Sequence, residues 1–238
     1  IKDLKGKLPK GTYALTYGNL PWAFMSLLYG AGGTLENDMD DLTKDVWRKP
    51  MEKLKEAYDA GVIAPMDVDG EQAFGSGKAV FAQLGTWAQG NMSNTLGADK
   101  IAEANTLQYS ADNPVNFFYQ CNWMQLKDPH RSAAKSAAAA DFVKYVYEHW
   151  MDWSEVGSIS PAYRDLNNPE YQKLIQASFT NSKKERDYIK TSNYLYGGYA
   201  TAGWGTYNDI VYGNVGLEEG LKTLDLMAQG QIEIQEES

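Results

Sequence analysis

The chain has 238 residues and carries 22 basic against 31 acidic side chains, a net charge of −9. That balance excludes the clustered Lys and Arg of a nucleic-acid surface, and no apolar run approaches the ~18–20 residues of a membrane-spanning helix. With 43% hydrophobic and 22% charged residues, the composition is that of a globular protein able to bury a sizeable core, as one large domain or two small ones.

In chain order, residues 12–17 (TYALTY) have the β-branched and aromatic character of a short strand. Gly18-Asn19-Leu20-Pro21 is a turn. Pro21 suits the first turn of a helix running to about Gly30, where its missing N–H costs nothing, and Ala31-Gly32-Gly33 ends that helix. Residues 45–60 predict a helix with Trp47, Pro50, Leu54, Ala57 and Tyr58 on one face and Gly61 just past its end. Pro50 conflicts with that span and favours a start nearer Lys49.

A short helix over 71–77 precedes a Gly-Ser-Gly turn, and Ala79–Leu84 reads as a short buried strand. Gly85-Thr86-Trp87 then leads into a helix through Met92. Residues 115–126 (VNFFYQCNWMQL) resemble one or two extended segments. Ser132 to Trp150 is a strong helix, with Ala134, Ala138, Phe142, Val146 and Trp150 spaced at four. Pro169–Ser178 predicts another, with Asn167-Asn168 as cap candidates. Leu217, Leu221, Leu224 and Ala228 mark a last amphipathic helix stopped by Gly230. Short strands alternating with longer helices predict an α/β fold dominated by helices.

Most catalytic motifs fail. Gly75-Ser76-Gly77-Lys78 evokes a P-loop, but the position five residues before Gly77 is Gln72, and Ala79 offers no hydroxyl to Mg²⁺. The acidic stretches 36–41 and 67–71 lack EF-hand spacing. The two histidines, His130 and His149, have no zinc-site context, and no G-x-S-x-G element occurs. A carboxylate pair of the glycosidase kind carries no weight among 31 acidic residues. No catalytic residue, metal ligand or cofactor is therefore assigned. Cys121 is the single cysteine, which precludes an intrachain disulfide and leaves the compartment open.

What remains is a constellation without reactive groups: Trp22 after a turn, Trp87 with Thr86 at a helix start, Tyr119, Gln120 and Asn122 at a strand end, and Trp204 between glycines. Aromatic faces stack on the apolar C–H face of a pyranose, while amides and hydroxyls satisfy its hydroxyl groups. The competing reading places these rings in the core.

Residues 51–92 (MEKLKEAYDAGVIAPMDVDGEQAFGSGKAVFAQLGTWAQGNM) resemble the signature of the extracellular solute-binding proteins of family 1: an amphipathic helix ending in Gly, an acidic loop, then A-F-x-x-G-K-A-x-x-x-x-x-G-x-W. Pro21-Trp22 followed by Gly32-Gly33, the cleft-strand position 119–127, the Ala-rich helix 132–150 with Gly157-Ser158-Ile159-Ser160-Pro161-Ala162, and the segment from Thr201 to Ile232 extend the likeness over nearly the whole chain.

The resemblance implies a helix-rich, three-layer α/β fold of the periplasmic-binding-protein type II, with the strands that open the first lobe lying upstream of Ile1. Residues 1–127 and 196–238 would build the second, ligand-binding lobe, and 128–195 would be helices of the first. In the maltodextrin-binding branch, an aromatic after the helix-start Pro and the Trp of G-x-W stack on sugar; Trp22 and Trp87 match, and Trp204 matches a third ring less closely. An acidic sugar-binding residue of that branch is Leu20 here, and the cleft-strand glycines are replaced by Tyr119, Gln120, Cys121 and Asn122, so the ligand is not expected to bind in the same manner.

The function so implied is that of the extracytoplasmic binding component of a bacterial ABC importer. It would be a monomer in the periplasm or a cell-surface lipoprotein, capturing a mono- or oligosaccharide in an interlobe cleft and delivering it to membrane permease subunits. Alternatives are a binding protein for a peptide or polyamine, a carbohydrate-active enzyme, and a non-transport adhesin or sensor domain.

Overall fold

A computed structural model of the chain describes residues 4, 6–18, 20–117, 123, 125–156, 165–177, 186–188 and 205–236. Strand β1 (Tyr13–Tyr17) pairs in parallel with β2 (Ala79–Gln83), in a register running from Tyr13 opposite Ala79 to Tyr17 opposite Gln83. On its other side Leu15 makes a parallel bridge to Ile63. Parallel neighbours need a long crossover. It is supplied here by α1 (Leu20–Gly30), α2 (Leu35–Asp38), α3 (Asp45–Asp59) and α4 (Gly70–Gly75). A second parallel pair joins β3 (Val115–Phe117) to β4 (Arg186–Tyr188).

The local chemistry explains where these helices stop. Gly61 takes φ +69° and its N–H donates to the Tyr58 carbonyl at 2.7 Å, while Val62 donates to Ala57 at 3.0 Å. That pair of bonds is a Schellman ending, in which glycine accepts the left-handed conformation without a Cβ clash. α3 starts at Asp45 and carries Pro50 inside it, so the start nearer Lys49 is corrected. Burial of Trp47, Pro50, Met51 and Leu54 on one face offsets the backbone bond that Pro50 cannot donate.

By its internal contacts the chain divides into two compact units, one of residues 1–85, 105–118 and 183–238, the other of residues 86–104 and 119–182. In the first unit, the Phe24 ring lies 5.9 Å from Trp47 and 5.2 Å from Tyr207, and all three side chains are buried. Leu28, Leu42, Met51, Ile210, Leu221 and Leu224 complete this core. Residues 205–211 are helical (α8), and α9 (Leu217–Glu236) packs its Leu221, Leu224 and Ala228 stripe inward. The latter is fastened to the α2–α3 region by Asp225, which accepts from the Leu42 N–H at 3.0 Å, and by Gln229, which donates to the Met39 carbonyl at 2.6 Å. Gly230 does not stop α9, which continues to Glu236; a single helical glycine costs only about 1 kcal/mol.

The second unit contains a 3-10 turn (Thr86–Ala88), α5 (Gln89–Leu96), a 3-10 turn at Ala98–Lys100, α6 (Ala133–Glu148) and α7 (Trp150–Val156). Ser132 caps α6 by accepting from the Lys135 N–H at 3.2 Å.

Three further expectations are corrected. The helix over 132–150 breaks at His149, whose backbone leaves helical geometry, so Trp150 opens α7. No residue of α6 is buried: Phe142 is 54% exposed, its ring edge-on to Trp123 at 5.6 Å, and nothing among the described residues covers that face. Likewise β2 is not a buried strand. Val80 and Phe81, which point to opposite faces of the strand, both stay exposed, and β2 pairs with β1 alone among the described residues. Over 169–177 the chain forms a 3-10 turn at Tyr171–Lys173 and is α-helical again only at Gln176 and Ala177, so the described residues do not form one continuous helix. Asn168 does act as a cap there, its Oδ1 accepting from the Glu170 and Tyr171 N–H groups at 2.9 and 3.3 Å. No helix among the described residues is long and apolar enough to cross a membrane.

Candidate functional site

Trp22 sits in the first turn of α1. Ten of the eleven residues of that helix are buried, and Trp22 is the exception. Its neighbours fix it: Leu20 and Pro21 are buried before it, and Ala23 and Phe24 root the turn in the core after it. The helix thus presents one partly exposed indole at its N-terminal end.

Thr86 and Trp87 lie together on the 3-10 turn of the second unit, where Trp87 is 56% exposed. Hydrogen bonds and burial hold this turn from behind. Ala88 is buried. Gln89 donates its side-chain amide to Gln176 Oε1 at 3.1 Å, and Gln176, fully buried, donates to the Ser154 carbonyl at 2.8 Å. The carbonyl of Ser154 can only accept, so it sets the orientation of both amides. Trp87 is therefore an exposed ring on an ordered support, as a stacking platform requires.

Tyr119, Gln120, Asn122 and Trp204 lie outside the described residues. Trp22 belongs to the first unit, and Thr86 and Trp87 to the second.

Two features escaped the sequence. At the carboxyl ends of β1 and β2, Tyr17 and Gln83 stand opposite each other, and the Tyr17 hydroxyl and Gln83 Oε1 are buried polar atoms without a hydrogen-bond partner among the described residues. Burial, with the nearby Tyr212 phenol, pushes the Tyr17 phenol far above its ordinary range. In the second unit, Glu103 lines an open depression of about 350 Å³, and burial pushes its carboxyl up to about 6. Neither residue sits in a motif, and burial of this kind follows from tertiary packing that no local pattern announces. Among the described residues no group of three or more His, Cys, Asp or Glu side chains is placed to hold a metal ion.

No family model and no curated protein sequence matches the chain. Solved structures do. The cyclic α-maltosyl-1,6-maltose binding protein of Arthrobacter globiformis aligns at 16% identity with a TM-score of 0.66, over 94% of this chain and 60% of its own. The maltose/maltodextrin-binding domain of Bdellovibrio bacteriovorus, bound to maltotriose, aligns at 15% identity and a TM-score of 0.68, over 98% and 64%. UgpB of Mycobacterium tuberculosis, in complex with glycerophosphocholine, aligns at 14% identity and a TM-score of 0.73, over 98% and 62%. The fold is that of the maltodextrin-binding-like solute-binding proteins. The expectation of a periplasmic-binding-protein-like α/β fold is borne out, and the chain spans 60–64% of the length of these three structures.

Proposed function

We propose that this chain is the ligand-capturing part of an extracytoplasmic solute-binding component of a bacterial ABC importer, and that its ligand is a mono- or oligosaccharide. The observation that carries the reading is Trp87: a large indole, 56% exposed, on a turn locked by the Gln89–Gln176–Ser154 chain. An exposed ring on a mobile side chain would lose entropy on binding, and one on a fixed turn loses less. Trp22, partly exposed on an otherwise buried helix, supplies a second platform. Thr86, Tyr119, Gln120 and Asn122 are assigned to the sugar hydroxyls, and Trp204 to a third stacking contact.

Two of the three similar structures are named for maltose-type sugars and one was solved with glycerophosphocholine, which supports a polar organic solute and leaves its identity to experiment. In this reading α6 and α7 belong to the first lobe. The protein acts outside the cytoplasm as a monomer, hands its cargo to permease subunits, and performs no catalysis.

The test is a thermal-shift screen of the protein against maltose, maltotriose and a panel of monosaccharides. A ligand that binds only the native state raises the midpoint by mass action. A rise with at least one sugar is the expected result. Turnover of a polysaccharide by the purified protein would move the assignment to a carbohydrate-active enzyme.

A further inference from the structure

The 3-10 turn that carries Trp87 runs directly into α5, whose N-cap is Ala88. Alanine has no side-chain oxygen to accept from the first N–H groups of a helix, and none caps α5. Gly90, the second residue of α5, weakens that start further. The side chain of Gln89 supplies a tether in place of a cap. Its Nε2 donates to Gln176 Oε1 at 3.1 Å, whereas its own Oε1 is buried without a hydrogen-bond partner among the described residues. The far end of the tether is fixed. Gln176 is fully buried, and its Nε2 donates at 2.8 Å to the carbonyl of Ser154, a buried residue of α7. All of these residues belong to the second unit.

We infer that Gln89 and Gln176 are positioning residues for Trp87, and that through its ring they set the affinity for a saccharide; the affinity part rests on the carbohydrate reading. A helix start without a cap frays, and Trp87 lies two residues before the tether on the turn that such fraying would loosen. A ring stacks only from the arrangement that presents its face. Apparent affinity is therefore reduced by the fraction of molecules that hold that arrangement. The Gln89–Gln176 bond biases this equilibrium, and a hydrogen bond of its kind is worth a factor of about five in an equilibrium constant. Burial of Gln176 keeps water from taking its place. Because the Ser154 carbonyl only accepts, Gln176 turns its Oε1 toward position 89, and a donor is required there. Two residues far from Trp87 in sequence, Ser154 and Gln176, thereby enter ligand capture through the ring.

The experiment uses Gln89→Met, which keeps the side-chain length, removes the donor and removes the unpartnered Oε1 with it. In the unliganded protein, NMR relaxation of the Trp87 indole N–H, assigned by its loss in Trp87→Phe, reads the order of the ring. The order parameter is expected to fall from about 0.85 to below about 0.6, with circular dichroism and the thermal midpoint showing that the variant is folded. Gln89→Asn, one carbon too short to reach Gln176, should give the same fall and serves if Gln89→Met does not fold. Calorimetry with maltotriose, or with the sugar that binds in the thermal-shift screen, should show about fivefold weaker binding by Gln89→Met. Adding Gln89→Met to Trp87→Ala should cost no further affinity, because the tether acts through the ring. A purely structural role would lower the midpoint and leave the indole order and the affinity as they are. Unchanged indole order, or the same fivefold loss in the Trp87→Ala background, overturns the inference. If no sugar binds the unaltered protein, the carbohydrate reading fails, and the indole order still decides whether Gln89 and Gln176 position the ring.

Discussion

Gln89 donates its side-chain amide to Gln176 at 3.1 Å, and that bond ties the start of α5, two residues after Trp87, to the interior of its unit. The chain of amides continues to the Ser154 carbonyl, so a single buried side chain satisfies two groups. Gln176→Leu would leave the Ser154 carbonyl and the Gln89 amide without these partners. An unsatisfied buried polar group costs about 1–3 kcal/mol. Urea unfolding of Gln176→Leu should show a loss of about 2 kcal/mol, and an unchanged midpoint would mean that the chain of bonds does not hold the turn.

A second prediction concerns backbone approach. Gly70 opens α4 against β1, and a Cβ there would stand 2.8 Å from the Tyr17 carbonyl oxygen. Backbone cannot step aside as a side-chain tip can. Gly70→Ala should destabilise the protein by about 1–3 kcal/mol despite the better helix propensity of alanine. Chemical denaturation measures it, and a neutral or stabilising result would contradict the packing described.

Glu103 predicts a pH dependence of stability. Its carboxyl sits at about 6 in the folded chain against an ordinary 4.5. Between those values the folded state holds a proton that the unfolded state has released. This group therefore favours folding at low pH, and its contribution falls as pH rises from about 4.5 to about 6. Its partial exposure to solvent limits the effect to about 1 kcal/mol. The difference in stability between Glu103→Gln and the unaltered protein, measured by denaturation from pH 4 to 7, should grow in favour of the variant by that amount. A difference that stays flat across the range would show that burial does not act on Glu103 as described.

Much of the first unit was legible in the sequence because its elements are local. The β1 pattern, Pro21 at the first turn of α1, the inward face of α3, Gly61 at its Schellman ending and the α9 stripe all follow from periodicity and cap chemistry over a few residues. The second unit was less legible. Ala134, Ala138, Phe142 and Val146 do mark one face of α6, yet that face is not buried, because periodicity specifies a face to cover and not what covers it.

Of the proposed stacking residues, Trp22 and Trp87 stand out in the sequence by their company of Gly and Pro. The residues that hold Trp87 were not found, because Gln89, Ser154 and Gln176 meet across 87 positions of sequence and belong to no motif. Glu103 was one acidic residue among 31, and only tertiary packing distinguishes it.

The central claim is that Trp87 is a sugar-stacking platform, and calorimetry on the unaltered protein and Trp87→Ala with a sugar from the thermal-shift screen tests it most directly. The account predicts that the variant folds with a near-native thermal midpoint and binds the sugar about 1–3 kcal/mol more weakly, through loss of ring contact alone. Equal affinity of the two proteins for a sugar that binds would contradict the assignment of Trp87 to the site.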